Sequence, residues 1–201
     1  MTSSTKVILS ALSLLVGACT APTSQPTGGS PPIGAGLSDT APRYAVQANP
    51  PADCRPPLPT GMVTYQSAIE NELLRLLNDA RTSAGAPALA RDDLLHIRDA
   101  ARSHSYEVSD QDIPALNSPD GKTPGDRLLR YCVGYSDLGE TVYRVRTTSD
   151  TPAAAILNLM LSDARAKANL LNPAWSLVGI GVYRSRNFGR SYFVTIDLVK
   201  P

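Results

Sequence analysis

Histidine is almost missing from this sequence. The 201 residues include two, His96 and His104. They lie eight apart on one predicted helix, about 80° around its axis and about 12 Å along it, so one metal ion cannot be held by both. His104 falls on the apolar face, as a hydrogen-bonded core residue would, and His96 falls at the rim. Cysteine is nearly as scarce. Cys19, Cys54 and Cys132 are the full set, and a zinc site built on two of them lacks further ligands. Charge of either sign is not in excess: the net charge is +1. With no basic aromatic patch, nothing points to nucleic acid. A Gly-rich phosphate loop is absent. Gly134, Ser136 and Gly139 miss the G-x-S-x-G spacing of a nucleophile elbow by one residue. Of the paired acids, Asp92 and Asp93 read as a helix cap, and Glu70 and Glu72 as a solvated helix face. Glu140 stands out. It follows a glycine at a strand entrance, where a carboxylate points either into a cleft or, at a sheet edge, into water.

Long apolar runs are also lacking. The run from Val7 to Val16 is too short to span a bilayer as a permanent helix. With Lys6 before it and small residues after it, residues 1–18 read as an export signal. The ending VGAC resembles a bacterial lipobox, which implies cleavage before Cys19 and lipidation of that cysteine; the alternative is an ordinary signal with a chance cysteine. Residues 19–61 then form a tether. Ten of the 17 prolines fall between Pro22 and Pro59, among Gly, Ser and Thr, and such a composition cannot bury a core. At about 3 Å per residue it holds a domain tens of ångströms from a membrane. Residues 62–201 suffice for one domain. Export puts Cys54 and Cys132 where disulfides persist. They read as a bridge pinning the tether to the domain, or else as two unpaired thiols.

Periodicity supplies the elements. Ile69, Leu73, Leu76, Leu77 and Ala80 repeat at helical spacing until Gly85 and Pro87. A second helix starts near Asp92 or Asp93, with Leu94, Ile97, Ala101, His104 and Val108 on one face. Thr123 and Pro124 open a short helix. ETVYRVR is a strand, and a helix from about Asp150 turns Ile156, Leu159 and Met160 inward. SDARAKANLLNP reads as the end of that helix and a turn. Two strands close the chain: VGIGVYRS, whose glycines allow close approach of another backbone, and SYFVTIDLVK, with RNFGRS turning between them. The order gives an α+β fold, a mostly antiparallel sheet packed by helices, or a three-layer sandwich if both faces are covered.

Four blocks in this order resemble the CAP superfamily of cysteine-rich secretory, antigen 5 and pathogenesis-related domains, in its short bacterial form. They are ELLRLLNDARTSAGAPAL, ending in N-x-x-R; LLHIRDAARSHSYEV, with a helical His at 104; NSPDGKTPGDRLLRYCVGYSDLGE, with PDG, P-x-x-R and G-E; and KANLLNPAWSLVGIGV. The resemblance implies a CAP-like α-β-α sandwich with a small, mostly antiparallel sheet between helices. In this family a central cleft often carries two histidines, and here their positions are Leu116 and Ala166. The asparagine after Glu140 is Thr141, and a common tryptophan is Met160. Leu116, Asn117, Glu140, Ala166 and Asn169 are the expected cleft lining, with Asn169 alternatively a structural cap. No side chain at 116 or 166 can ligate zinc, so no metal or other cofactor is expected. The expected function is a non-catalytic binding or interaction module. It is exported and lipid-anchored to a bacterial membrane, facing the periplasm or exterior, and meets an envelope ligand or protein partner. The alternatives are lipid binding, or weak hydrolysis of envelope material with Glu140 as general base.

Overall fold

The computed structural model describes residues 36–38, 50–54, 65–185 and 191–201. The expected export signal, most of the expected tether and all of the RNFGRS turn but Ser191 lie outside the described residues. The described residues hold nine elements in order: β1 (Gly36–Ser38), α1 (Ser67–Ser83), α2 (His96–Asp110), α3 (Pro124–Arg130), β2 (Asp137–Arg146), α4 (Pro152–Ser162), α5 (Ala164–Leu170), β3 (Leu177–Arg184) and β4 (Ser191–Lys200). The strands form one antiparallel sheet in the order β1-β2-β4-β3.

Strand alternation splits the sheet into two faces. Tyr143 and Val145 of β2, Val178, Ile180 and Val182 of β3, and Val194, Ile196 and Leu198 of β4 turn one way. They meet Leu73 and Leu77 of α1, Ile156 and Met160 of α4, and Ala166 and Leu170 of α5. The opposite face is covered by α2 and α3, through Ile97, Ala100, Leu128 and Val199 and through Val108, Val142 and Phe193. The result is the three-layer α-β-α sandwich.

The glycines of β3 act as expected. A Cβ on Gly179 would lie 2.3 Å from the Ile97 backbone, and one on Gly181 would lie 2.3 Å from that of Ala101. Helix α2 therefore rests directly on the strand. The far side of β3 is sealed differently. Glu70, expected on a solvated face, is 1% exposed. Its carboxylate accepts the Val182 N–H at 3.1 Å and the guanidinium of Arg102 at 2.5 Å, satisfying a strand-edge donor that would otherwise be orphaned. Glu72 does face solvent, paired with Arg75.

The N-x-x-R run at the end of α1 holds loops in place. Asn78 brackets Leu89, donating to its carbonyl at 3.0 Å and accepting from its N–H at 2.8 Å. Arg81 is fully buried and reaches four carbonyls: Pro87 at 2.8 Å, Leu170 at 2.6 Å, Asn172 at 3.0 Å and Trp175 at 3.3 Å. One side chain thus ties α1 to the end of α5 and the loop before β3.

Three boundaries differ from expectation, each for a local reason. α2 starts at His96, after a turn, because Asp92 caps from four residues away: its carboxylate takes the N–H groups of His96 at 2.7 Å and Ile97 at 3.2 Å. Leu94 is thereby left outside the helix and 71% exposed. SDARAKANLLNP holds a helix of its own, α5, since Asp163 caps it by accepting from Arg165 N and Ala166 N. Finally, Gly36–Ser38, inside the stretch expected as tether, pairs with Tyr143, Val142 and Thr141 at the sheet edge. Thr123 and Asp126 form the expected start of α3 as a reciprocal capping box.

Candidate functional site

Cys54 and Cys132 are bonded, with Cα atoms 5.6 Å apart. Cys132 takes the left-handed conformation, φ 65°, at the turn that ends α3.

Above the α2 face lies a buried polar cluster. Glu140 of β2 and Asp197 of β4 are register partners, so their side chains leave the same face side by side. Both are buried. Arg127 of α3 donates through Nη2 to Glu140 Oε1, and through Nη1 to the Lys122 carbonyl at 3.1 Å and Ser118 Oγ at 3.3 Å. Ser118 donates to Glu107 at 2.7 Å and lies 3.5 Å from His104 Nδ1. His104 is fully buried. Its Nε2 is 2.7 Å from the Ala115 carbonyl, which only accepts, so that nitrogen carries the proton.

Two carboxylates facing one guanidinium leave the cluster an excess of negative charge. Burial pushes Glu140 up to about 8; Arg127 opposes this and the charge on Asp197 adds to it. Burial pushes Asp197 up to about 6, against Arg127 and its hydrogen bond with Glu140. Among the described residues no donor reaches Glu140 Oε2, and a proton there supplies the missing hydrogen. The pair therefore holds a shared proton near neutrality, and its titration belongs to both acids together. Glu107 is the contrast. Burial opposes its charge, but the His104 ring 3.8 Å away and the hydrogen bonds from Ser118 and Ser103 outweigh that and hold it down at about 2.

The five expected cleft positions do not come together, because the sheet divides them. The Glu140 carboxylate points to the α2 face, where Leu116 packs half-buried beside Val108, Val142 and Phe193; Asn117 is exposed. Ala166 is buried on the opposite face, among the core residues of α4 and α5. Asn169 is structural. Its Nδ2 donates to the Glu140 carbonyl and to Thr141 Oγ1, each at 3.1 Å, and its carbonyl accepts from Trp175 Nε1 at 3.0 Å. These positions do not fit a metal ion: 116 and 166 bear no donor atom, and Glu140 is already occupied by Arg127. Among the described residues no group of three His, Cys, Asp or Glu side chains is placed to hold one. Sequence reading missed Arg127 and Asp197. Arg127 is the arginine of P-x-x-R, and Asp197 is a lone acid on the face of β4 that also bears Phe193 and Val199, a visible signal of a buried charge.

A second concave feature lies between α1 and α4. It is a groove of about 420 Å³ lined by Ala68, Ile69, Leu76, Pro152 and Ala153, with Glu72 and Asp150 among its polar residues.

This architecture, an antiparallel sheet between two helical layers, is the arrangement of a CAP domain. Residues 74–198 match the profile of CAP, the cysteine-rich secretory protein family, and the chain belongs to that family. An extracellular protein containing an SCP domain from Bacillus anthracis superposes with a TM-score of 0.57 at 29% identity, over 68% of this chain and 41% of that one. An outer surface protein from Borrelia burgdorferi gives 0.59 at 14% identity, over 69% and 98%. A cysteine-rich secretory protein from Staphylococcus aureus gives 0.51 at 15%, over 71% and 41%. The latter two likenesses concern the fold alone. The chain spans about two fifths of the length of the Bacillus and Staphylococcus proteins. No curated protein matches it. Among the described residues no helix is long and apolar enough to cross a membrane.

Proposed function

We propose that this chain is a lipid-anchored, envelope-exposed CAP domain that works as a non-catalytic binding module and has lost the cleft metal site of its relatives. The observation that carries this reading is the state of Glu140: fully buried, paired with Arg127 and backed by Asp197. A general base must reach the proton it removes, and among the described residues this carboxylate has no exposed surface. The extracellular description of the Bacillus protein supports the location.

Two experiments test the reading. Calorimetry of the full chain in detergent with Zn²⁺ is expected to show no stoichiometric binding; one tight site would overturn the loss of the metal centre. Cys19→Ala is expected to move the protein from the membrane fraction to the soluble fraction. A variant that stays membrane-bound like the parent would remove the lipid anchor from the proposal.

The α1–α4 groove supports a second reading, lipid binding. Its volume lies within the range of small-molecule sites, and its lining is mostly apolar. A fluorescent fatty acid is expected to bind there, and Leu76→Glu to weaken it tenfold or more. Unchanged affinity in that variant would exclude the groove.

A further inference from the structure

We infer that the Cys54–Cys132 disulfide is a redox latch on α3, holding Arg127 against the Glu140–Asp197 pair, so that thiol exchange at this bond unsettles the buried acids. Helix α3 has seven residues, too few to be stable alone, so its position depends on what fastens its ends. The capping box of Thr123 and Asp126 fastens the first turn. At the other end the chain enters a left-handed conformation at Cys132, one that L side chains adopt at a cost. The Cys132 N–H bonds the Leu129 carbonyl at 3.0 Å. Cys54 Sγ lies 3.7 Å from that same carbonyl. The disulfide therefore clamps the turn directly after the helix. Arg127 stands between the two fastenings, five residues from Cys132.

The groups that Arg127 serves are all fixed on other elements. Asp197 comes from β4, Glu140 from β2, and His104 and Glu107 from α2, with Ser118 between them. The ammonium of Lys122 is turned outward to Asp120. Among the described residues Arg127 is the one cation in a salt bridge with Glu140, and it arrives on the shorter helix of the α2 face.

Both cysteines are half-buried, which leaves the bond open to a small dithiol. A thiolate of the dithiol attacks one sulfur and forms a mixed disulfide. Its second thiolate then closes on the first and releases the protein sulfur. Two electrons pass from the dithiol to the protein, and both cysteines take up protons and leave as thiols.

The latch has a signature that loop closure alone lacks. The loop-closure entropy of a disulfide does not depend on pH. Arg127 lowers the proton affinity of both acids, so loosening it matters most where they are ionised. The experiment compares urea unfolding of the oxidised full chain in detergent with a Cys54→Ser, Cys132→Ser variant at pH 5.5 and pH 8. The unfolding constant is expected to rise at least threefold more at pH 8 than at pH 5.5, and adding the paired substitution Glu140→Gln, Asp197→Asn to both chains is expected to make the two rises equal. Equal rises without that substitution would overturn the latch. Should the serine variant not fold at pH 8, hydrogen exchange of the parent under dithiothreitol decides: faster exchange at Arg127–Cys132 with β4 unchanged is expected, and unchanged exchange across α3 would overturn it.

Discussion

Arg81→Met is expected to unfold much of the domain at ordinary temperature, or to lower its stability by about 4 kcal/mol or more. Methionine fills a similar volume but leaves the Pro87, Leu170, Asn172 and Trp175 carbonyls without their donor. Each buried acceptor left unpaired costs about 1–3 kcal/mol, and a whole domain has only about 5–15 kcal/mol in hand. Arg81→Lys should recover a fraction, since an ammonium cannot span four acceptors in the fork geometry of a guanidinium. Urea unfolding followed by circular dichroism measures this. A loss below about 1 kcal/mol for the methionine variant would show that water reaches these carbonyls and that the arginine is dispensable.

Stability is expected to peak at about pH 4 and to fall on both sides. On the alkaline side the cause is the acid pair. Glu140 and Asp197 have folded pKa values raised to about 8 and about 6, from ordinary values of 4.5 and 3.8. Between the ordinary and the raised values the folded state holds more protons than the unfolded state, so stability decreases as pH rises. Each extra proton sets a slope of about 1.4 kcal/mol per pH unit. On the acid side Glu107 acts in reverse. Its folded pKa, held down at about 2, contributes stability that is lost as pH falls from about 4.5 toward that value. Glu140→Gln should flatten the alkaline limb, since the amide keeps the shape and carries no charge to desolvate. Unfolding midpoints from pH 3 to 9 test this, and a profile that rises from pH 5 to pH 8 would refute the shared proton.

The sandwich was legible because its signals are periodic. Leu73 and Leu77 on α1, and Val194, Ile196 and Leu198 on β4, repeat at 3.6 and 2 residues, and both sets are fully buried. The glycines of β3 announced a backbone approach, and α2 makes it. What failed to show was set by distance along the chain. The ionisation of Glu140 depends on Asp197, 57 positions away and beside it only through the register of β2 with β4. Glu70 looked solvated because its partners, Arg102 and the Val182 N–H, belong to other elements. A composition rich in proline suggested that residues 19–61 are a tether held to the domain only at Cys54, yet three of them complete a sheet edge. Edge pairing needs backbone alone, and composition carries little trace of it.

The disulfide joins positions 78 residues apart, and α1, α2 and α3 all lie within that loop. A protease that nicks the chain anywhere between Cys54 and Cys132 therefore severs no fragment: both new ends stay covalently joined through sulfur. Were the chain anchored as proposed, shedding of the domain would require either a cut on the N-terminal side of Cys54, or a nick within the loop followed by a reductant. Release from such an anchor would then be a two-key event for a protease that cuts between Cys54 and Cys132.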